Sequence, residues 1–277
     1  MIRAPIGDKT YWDKWSNYRK ERLIKEWSLI NQPSRNPVYD PQYTFDTAKN
    51  HFRYVLTCYS SGDNVRDLGQ HIAGLLDAWE LSNRLSDEIC AEHNLKTCRD
   101  WTFEFSNLNH YNWCFWLVGL ALVLEMPDEQ WHRLLALIGG EGEDVLLDRV
   151  IASRQPNRHI GTTLLHRKPY ARLLKAVDAP KEEQAALLRE FVEHWYPELD
   201  RKGKQQPWWY IYGDPVKHPL KMGSYFGRWC IEAVAAVKAF GLDDSLCIRH
   251  EHYPGDLLRP VDTSGILPKT NPSGAKP

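Results

Sequence analysis

The sequence lacks the recurring signatures of catalysis. No G-x-S-x-G elbow, H-E-x-x-H pair, phosphate-binding loop or dinucleotide fingerprint occurs in its 277 residues. Its glycine clusters, "GGEGED" and "GLDDS", have no strand-to-helix context, and "LIGGEGED" would put carboxylates where phosphates must sit. An excess of charge of either sign is also missing. With a formal net charge of -1 and 26% charged residues, the mean field neither attracts nucleic acid nor imitates it, so a charged partner must be met by a local patch. The six cysteines (Cys58, Cys90, Cys98, Cys114, Cys230, Cys247) include no C-x-x-C pair and no zinc-ligand spacing. Several sit inside apolar runs and read as small buried hydrophobes of a reducing compartment. The start, "MIRAPIGDKTYWDKW", has no apolar signal segment, and the longest apolar run, "WCFWLVGLALVL" at 113–124, is about six residues short of a membrane span. The expectation is a cytoplasmic protein without membrane contact.

Exact repeats, low-complexity tracts and a Pro/Ser-rich mid-chain linker are absent as well. The length admits one large domain or two ordinary modules. The stretch "IGGEGED" at 138–144 is the best seam, which predicts an N-terminal module over 1–138 and a C-terminal one over 139–260. Residues 261–277, rich in Pro, Gly and Ser and poor in large apolar groups, predict a flexible tail.

Aromatic residues are plentiful: 12% of the chain, with 12 Trp and 13 Tyr. They serve cores and interfaces alike, and most fall in patterns of period three and four, which favours core packing. Phe45, Ala48, Phe52, Val55, Leu56 and Tyr59 share one helical face, and Leu68, Ile72, Leu75, Leu76, Trp79 and Ile89 form a second stripe. "PDEQWHRLLALIGG" carries Pro127 as a first helical residue, two acids behind it and a glycine pair at its end. "DAPKEEQAALLREFVEHWYPEL" predicts a helix with Asp178 as N-cap and Pro197 as stop. "EDVLLDRVIASR" and "KPYARLLKAV" add two more. The fold class predicted is all-α, a bundle of about ten helices in two closely packed modules, with an irregular or briefly extended connection at "QPWWYIYGDPVKHPLKMG".

The segment "YFGRWCIEAVAAVKAFGLDDS" at 225–245 is apolar almost all round. On a helix, Phe226, Trp229, Cys230, Ala233, Val234, Val237 and Phe240 span about 140° of arc, with Ala235, Ala236 and Ala239 opposite. One face accepts bulky partners and the other lets a neighbouring backbone approach. Glu232, one turn after Arg228, reads either as a paired carboxylate or as a group facing a loop or ligand. Gly241 suits a left-handed cap closed by Leu242. "DDS" then caps a last turn or presents two carboxylates on a corner.

Two further patches carry side chains of possible chemical use. In "HEHYPGD", His250, His252 and Asp256 have metal-binding side chains, but Pro254 and Gly255 interrupt any regular element, so an ordered turn is the favoured reading and no metal or cofactor is expected. Arg154, Arg158, His159, His166, Arg167, Lys168 and Arg172 form a basic stretch without interleaved aromatics, which favours a solvated or acid-paired face over direct nucleic-acid contact.

Tyr225, Phe226, Gly227, Trp229, Glu232 and Ala233, then Gly241, Asp243, Asp244 and Ser245, then Tyr253, Pro254, Asp256 and Leu257 stand in the order of a known motif set. In this the chain resembles the PoNi-type immunity proteins, departing from their pattern at Gly255, where an aromatic is frequent. "CYSSGDNVRDLGQHIAGLLDAWE" is similar, more loosely, to their helical N-terminal module. The resemblance spans most of residues 10–260. It implies an all-α cytoplasmic antidote, not an enzyme, that binds and neutralises a PoNe-type DNase toxin. Such a toxin is a PD-(D/E)xK-like nuclease domain delivered between bacteria by type VI or related secretion. An inhibitor can block a basic, metal-binding groove with acids and aromatic anchors. The toxin-binding candidates are Asp243, Asp244, Asp256, Glu232, Trp208, Trp209, Tyr210 and Tyr212; Phe226, Trp229, Phe240 and Gly241 are structural core. The competing view is that the motif maintains the fold and toxin-facing residues lie elsewhere. A metal-dependent hydrolase and a nucleic-acid-binding adaptor remain as alternatives.

Overall fold

The computed structural model describes residues 2–96, 98–99 and 101–260. Among them are nine α-helices and no strand. The three longest open with the chain: α1 (Lys9–Ile30), α2 (Asp40–Ser61) and α3 (Gly69–Glu92). They pack in succession, α1 on α2 and α2 on α3. The apolar stripes of α2 and α3 are the reason, since Phe45, Phe52, Val55, Ile72, Leu75 and Leu76 are all buried.

The middle of the molecule is α4 (Leu108–Val123), which contacts α5 (Asp128–Ile138) and α9 (Ile231–Phe240). Nearly every residue of α4 is buried, as an all-round apolar sequence requires. Its N-terminus is capped by Asn107, whose side chain accepts from the Asn109 and His110 amides. The small-residue side of α9 meets it: a Cβ on Gly119 would lie 3.1 Å from Ala235 Cβ, so the helices approach through glycine and alanine. The remaining helices, α6 (Val145–Ala152), α7 (Arg167–Asp178) and α8 (Lys181–Glu198), surround α9.

The acids of "GGEGED" and of α6 hold their own loop. Asp144 caps α6 at the Leu146 and Leu147 amides and also accepts from Tyr111 Oη at 2.8 Å and the Leu165 amide at 2.9 Å. Asp148 accepts from the Gly142 and Gly161 amides and from Arg158 Nε at 2.8 Å. Buried carboxylates are tolerated here because each is fully engaged by donors.

Several local expectations are corrected. The helix expected from 225 begins only at Ile231, and residues 223–230 run as a non-helical strap. Gly227 has φ +93°, a conformation that L side chains rarely adopt, and Trp229 folds back over it. The strap is held sideways: Trp229 Nε1 donates to Ser60 Oγ at 2.8 Å, Ser60 Oγ donates to the Phe226 carbonyl, and the Cys230 amide donates to the His252 carbonyl. Helix α1 has no continuous apolar stripe, and the buried residues of it are Tyr11, Trp12, Leu23 and Glu26. The connection at 206–223 is irregular, with short 3-10 turns at Tyr210–Gly213 and Leu220–Met222. Asp178 ends α7 instead of capping α8, and pairs with Arg149 at 2.7 Å. Pro197 lies inside the last turn of α8. Cys58, Cys114, Cys230 and Cys247 are buried and free, as the hydrophobe reading has it, whereas Cys90 and Cys98 are joined as a disulfide, which a reducing compartment does not favour. The predicted tail at 261–277 lies outside the described residues.

Candidate functional site

Glu232, in the first turn of α9, is fully buried. It does not pair with Arg228, whose guanidinium reaches Glu251 instead at 3.3 Å. Its Oε1 accepts from Asn112 at 2.8 Å, Tyr170 Oη at 2.9 Å and Trp195 Nε1 at 3.1 Å, tying α4, α7 and α8 to α9. Its Oε2 is buried with no hydrogen-bond partner among the described residues. Burial pushes the carboxyl up to about 7, because no cation compensates the charge it would carry. Glu232 is therefore a junction inside the protein and not a surface acid.

Trp209 belongs to the same junction. It stacks between Trp116 and Trp195, with ring centroids 4.9 and 5.3 Å away, and donates from Nε1 to Asn112 Oδ1 at 2.9 Å. Trp208, half-buried, contacts Phe52, Trp113 and Phe226. Tyr210 stacks on Tyr196 at 4.6 Å, and Tyr212 lies against His218 and Phe226; both keep part of their surface in solvent.

The paired aspartates separate. Asp243 is exposed and accepts from the Ser245 amide at 2.9 Å, which holds its carboxyl below the usual range. Asp244 is buried and accepts from Tyr253 Oη and both terminal nitrogens of Arg259. Asp256 accepts from Arg3 and Tyr59 Oη, and Arg3 continues to the Tyr59 and Asp63 carbonyls. Asp256 thus ties the C-terminal turn to the N-terminus and the end of α2.

Of the expected core residues, Phe226 and Trp229 are buried, and Phe240 is half-buried under Arg149. Gly241 caps α9 with φ 65° and its amide on the Val237 carbonyl, and Leu242 is buried behind it.

His250 and His252 form an ordered turn: His250 Nδ1 accepts from the His252 amide, and His252 Nδ1 bonds the Arg228 carbonyl. Among the described residues no group of three His, Cys, Asp or Glu side chains could hold a metal ion. In the basic stretch, Arg154 pairs with Asp128, Arg158 with Asp148, and Arg172 with Glu190 and Glu198. These three arginines spend their charge within the chain, while Arg167 is exposed.

One feature went unassembled in the sequence. Lys14, Arg19, Arg22 and Arg53 share a cleft with Tyr212 and Phe226, brought together from α1, α2 and the 210–226 segment. No periodicity marks such a convergence, because about 200 residues separate its parts.

An all-α protein of two packed helical modules, whose motif residues are mostly internal ties, is the class that this geometry defines. Family models for both halves of the PoNe immunity proteins (PoNi) match the chain, the N-terminal model over residues 3–136 and the C-terminal model over 142–257. The chain belongs to the PoNe immunity protein family. Among solved structures it is similar to protein PA2201 from Pseudomonas aeruginosa, with TM-score 0.68 and 17% identity over 94% of this chain and 91% of that one. At that identity the likeness concerns the fold alone. No curated protein matches the chain. Among the described residues no helix is long and apolar enough to cross a membrane.

Proposed function

We propose that this protein is an antidote that binds a PoNe-type DNase toxin and neutralises it by occupying the nuclease's active-site face, without chemistry of its own. The observation that carries the reading is the pair of family matches, which together take in nearly the whole chain. An aromatic-rich helical body offering half-exposed Tyr210, Tyr212 and Trp208 is compatible with it, since tyrosine and tryptophan give large contact area at low rotamer cost.

Within this reading the candidate residues divide by access. Asp243, Tyr210, Tyr212 and the open edges of Trp208 and Asp256 contact the toxin. Glu232, Asp244 and Trp209 support those contacts from inside. The partner is a nuclease toxin domain in a heteromeric complex, met in the cytoplasm during interbacterial competition.

Co-expression with the toxin encoded beside it tests the proposal. Cell survival together with a co-eluting complex on size exclusion is the expected result. A folded protein that neither rescues nor co-elutes with a folded, active toxin rejects it. Asp243→Ala should weaken the complex by roughly tenfold while leaving the melting transition in place; unchanged affinity removes Asp243 from the interface.

A further inference from the structure

The cleft of Lys14, Arg19, Arg22 and Arg53 has a volume of about 460 Å³. Its cations are unusually short of counter-charge. Among the described residues, the only carboxylate paired with any of them is Glu26, which accepts from Arg22 Nε at 2.7 Å and is shared with Asn50. Arg19 has no acidic partner; it donates to the Trp15 carbonyl at 3.2 Å and to the Gly223 carbonyl. Arg53 donates to Asn50 Oδ1 at 3.0 Å, and its Nε is buried with no hydrogen-bond partner.

Both guanidiniums lie against aromatic faces. Arg19 is 4.6 Å from the Phe226 centroid and Arg53 is 5.4 Å from that of Trp208. Stacking orients them without neutralising them. Burial pushes both down, Arg19 to about 10, and the neighbouring Arg22 adds repulsion at Arg53. Elsewhere in the chain the fold supplies carboxylates to buried or half-buried arginines, as Asp148 does for Arg158 and Glu198 for Arg172. Here it does not.

We infer that this cleft is a receptor for a carboxylate-bearing projection of the toxin, an Asp or Glu side chain flanked by an apolar group. Its carboxylate oxygens would meet Arg53 and Arg19, and its apolar neighbour would lie against Trp15 and Tyr212. The inference rests on the antidote reading above and adds the chemistry of one contact. A protein loop fits better than a nucleic acid strand for two reasons. The cations converge in one concavity instead of tracking along a groove, and the chain as a whole carries a net charge of -1.

The test uses the full chain and the toxin domain. Arg53→Gln keeps a polar group of similar length beside Asn50, and Lys14→Glu changes an exposed residue at the rim. Surface plasmon resonance with the toxin domain immobilised should show a loss of roughly tenfold or more in affinity for Arg53→Gln, carried mainly by faster dissociation. Lys14→Glu should give a smaller loss, mainly in association rate, that shrinks as salt is raised. Wild-type affinity in both variants overturns the inference and leaves the antidote reading standing. If the wild-type chain forms no complex, the antidote reading fails, and titration with a capped Glu-Phe peptide, inorganic phosphate and a DNA single strand decides the cleft alone. Peptide binding that Arg53→Gln abolishes supports a carboxylate receptor; no binding, or a preference for phosphate or DNA, overturns it.

Discussion

Two regions of this protein treat charge in opposite ways. At the C-terminal corner, Glu232, Asp244 and Asp256 are each met by two or more donors, and their partners come from α1's approach, α2, α4, α7, α8 and Arg259. At the α1–α2 cleft, Arg19 and Arg53 sit half-buried against aromatic rings and form no ion pair with a carboxylate among the described residues. The corner contains the residues that make the family recognisable, and the cleft contains almost none of them. Asp244 and Asp256, each met by an arginine and a tyrosine, hold the fold together, whereas a half-buried cation left short of counter-charge is a place where a partner can still add stability. Motif and contact surface are therefore different questions in this molecule.

The comparison breaks most strongly at Trp229, a buried ring fixed to Ser60 and Tyr59 from α2. Trp229→Ala should cost about 3–5 kcal/mol, because it removes a large buried side chain and frees the strap from α2. Chemical denaturation followed by circular dichroism measures it, and a loss under about 1 kcal/mol would show that the strap is not anchored there.

Next in size is Glu232. An acid whose folded pKa is raised binds its proton more tightly in the folded state, so stability falls as pH rises from about 4.5 to about 7 and is flat above. His51 and His252, both pushed down to about 4 by burial, act the other way, adding stability as pH rises through about 4 to 6.5. The total slope is thus mixed, and the difference between wild type and Glu232→Gln isolates the carboxyl. Among the described residues it forms no ion pair, and its hydrogen-bond donors are the neutral Asn112, Tyr170 and Trp195. The variant should gain on the wild type by a few kcal/mol between pH 4.5 and 7.5 in thermal melts. Parallel curves would mean that the carboxyl titrates as an ordinary one.

The adjacent aspartates sharpen the contrast at smaller scale. Asp244→Asn should cost about 1–3 kcal/mol through the loss of charge-assisted bonds to Tyr253 and Arg259. Asp243→Asn, exposed and bonded to Ser245 of its own turn, should stay within about 0.5 kcal/mol. Equal costs in parallel melts would erase the distinction between the two positions.

Much of the fold was legible. The stripes at 44–60 and 65–93 became α2 and α3, the apolar run at 113–124 lies mostly in the central helix α4, and Gly241 with Leu242 closes α9 as expected. The misreadings have local causes. Residues 225–230 share the angular pattern of the helix that follows, and periodicity cannot see that Gly227 turns the chain into a strap paired with His252. Helix α1 was passed over because it buries few of its residues, and a moment-free sequence gives no stripe to read. The candidate acids were legible as residue types but not as environments: neighbours Asp243 and Asp244 differ only in what folds back onto them.

By itself the sequence determined the helical class, most helix positions and the membership in the immunity family, since these follow from local spacing, capping residues and the order of a short motif. Only the tertiary structure decided that Glu232 is enclosed by neutral donors, that Asp256 binds Arg3 across the whole chain, and that Arg19 and Arg53 share a cleft without a carboxylate of their own. Spacing along the chain fixes which face a side chain takes. Its charge, solvation and partners are set by elements far away in sequence, and these become definite only when the helices pack.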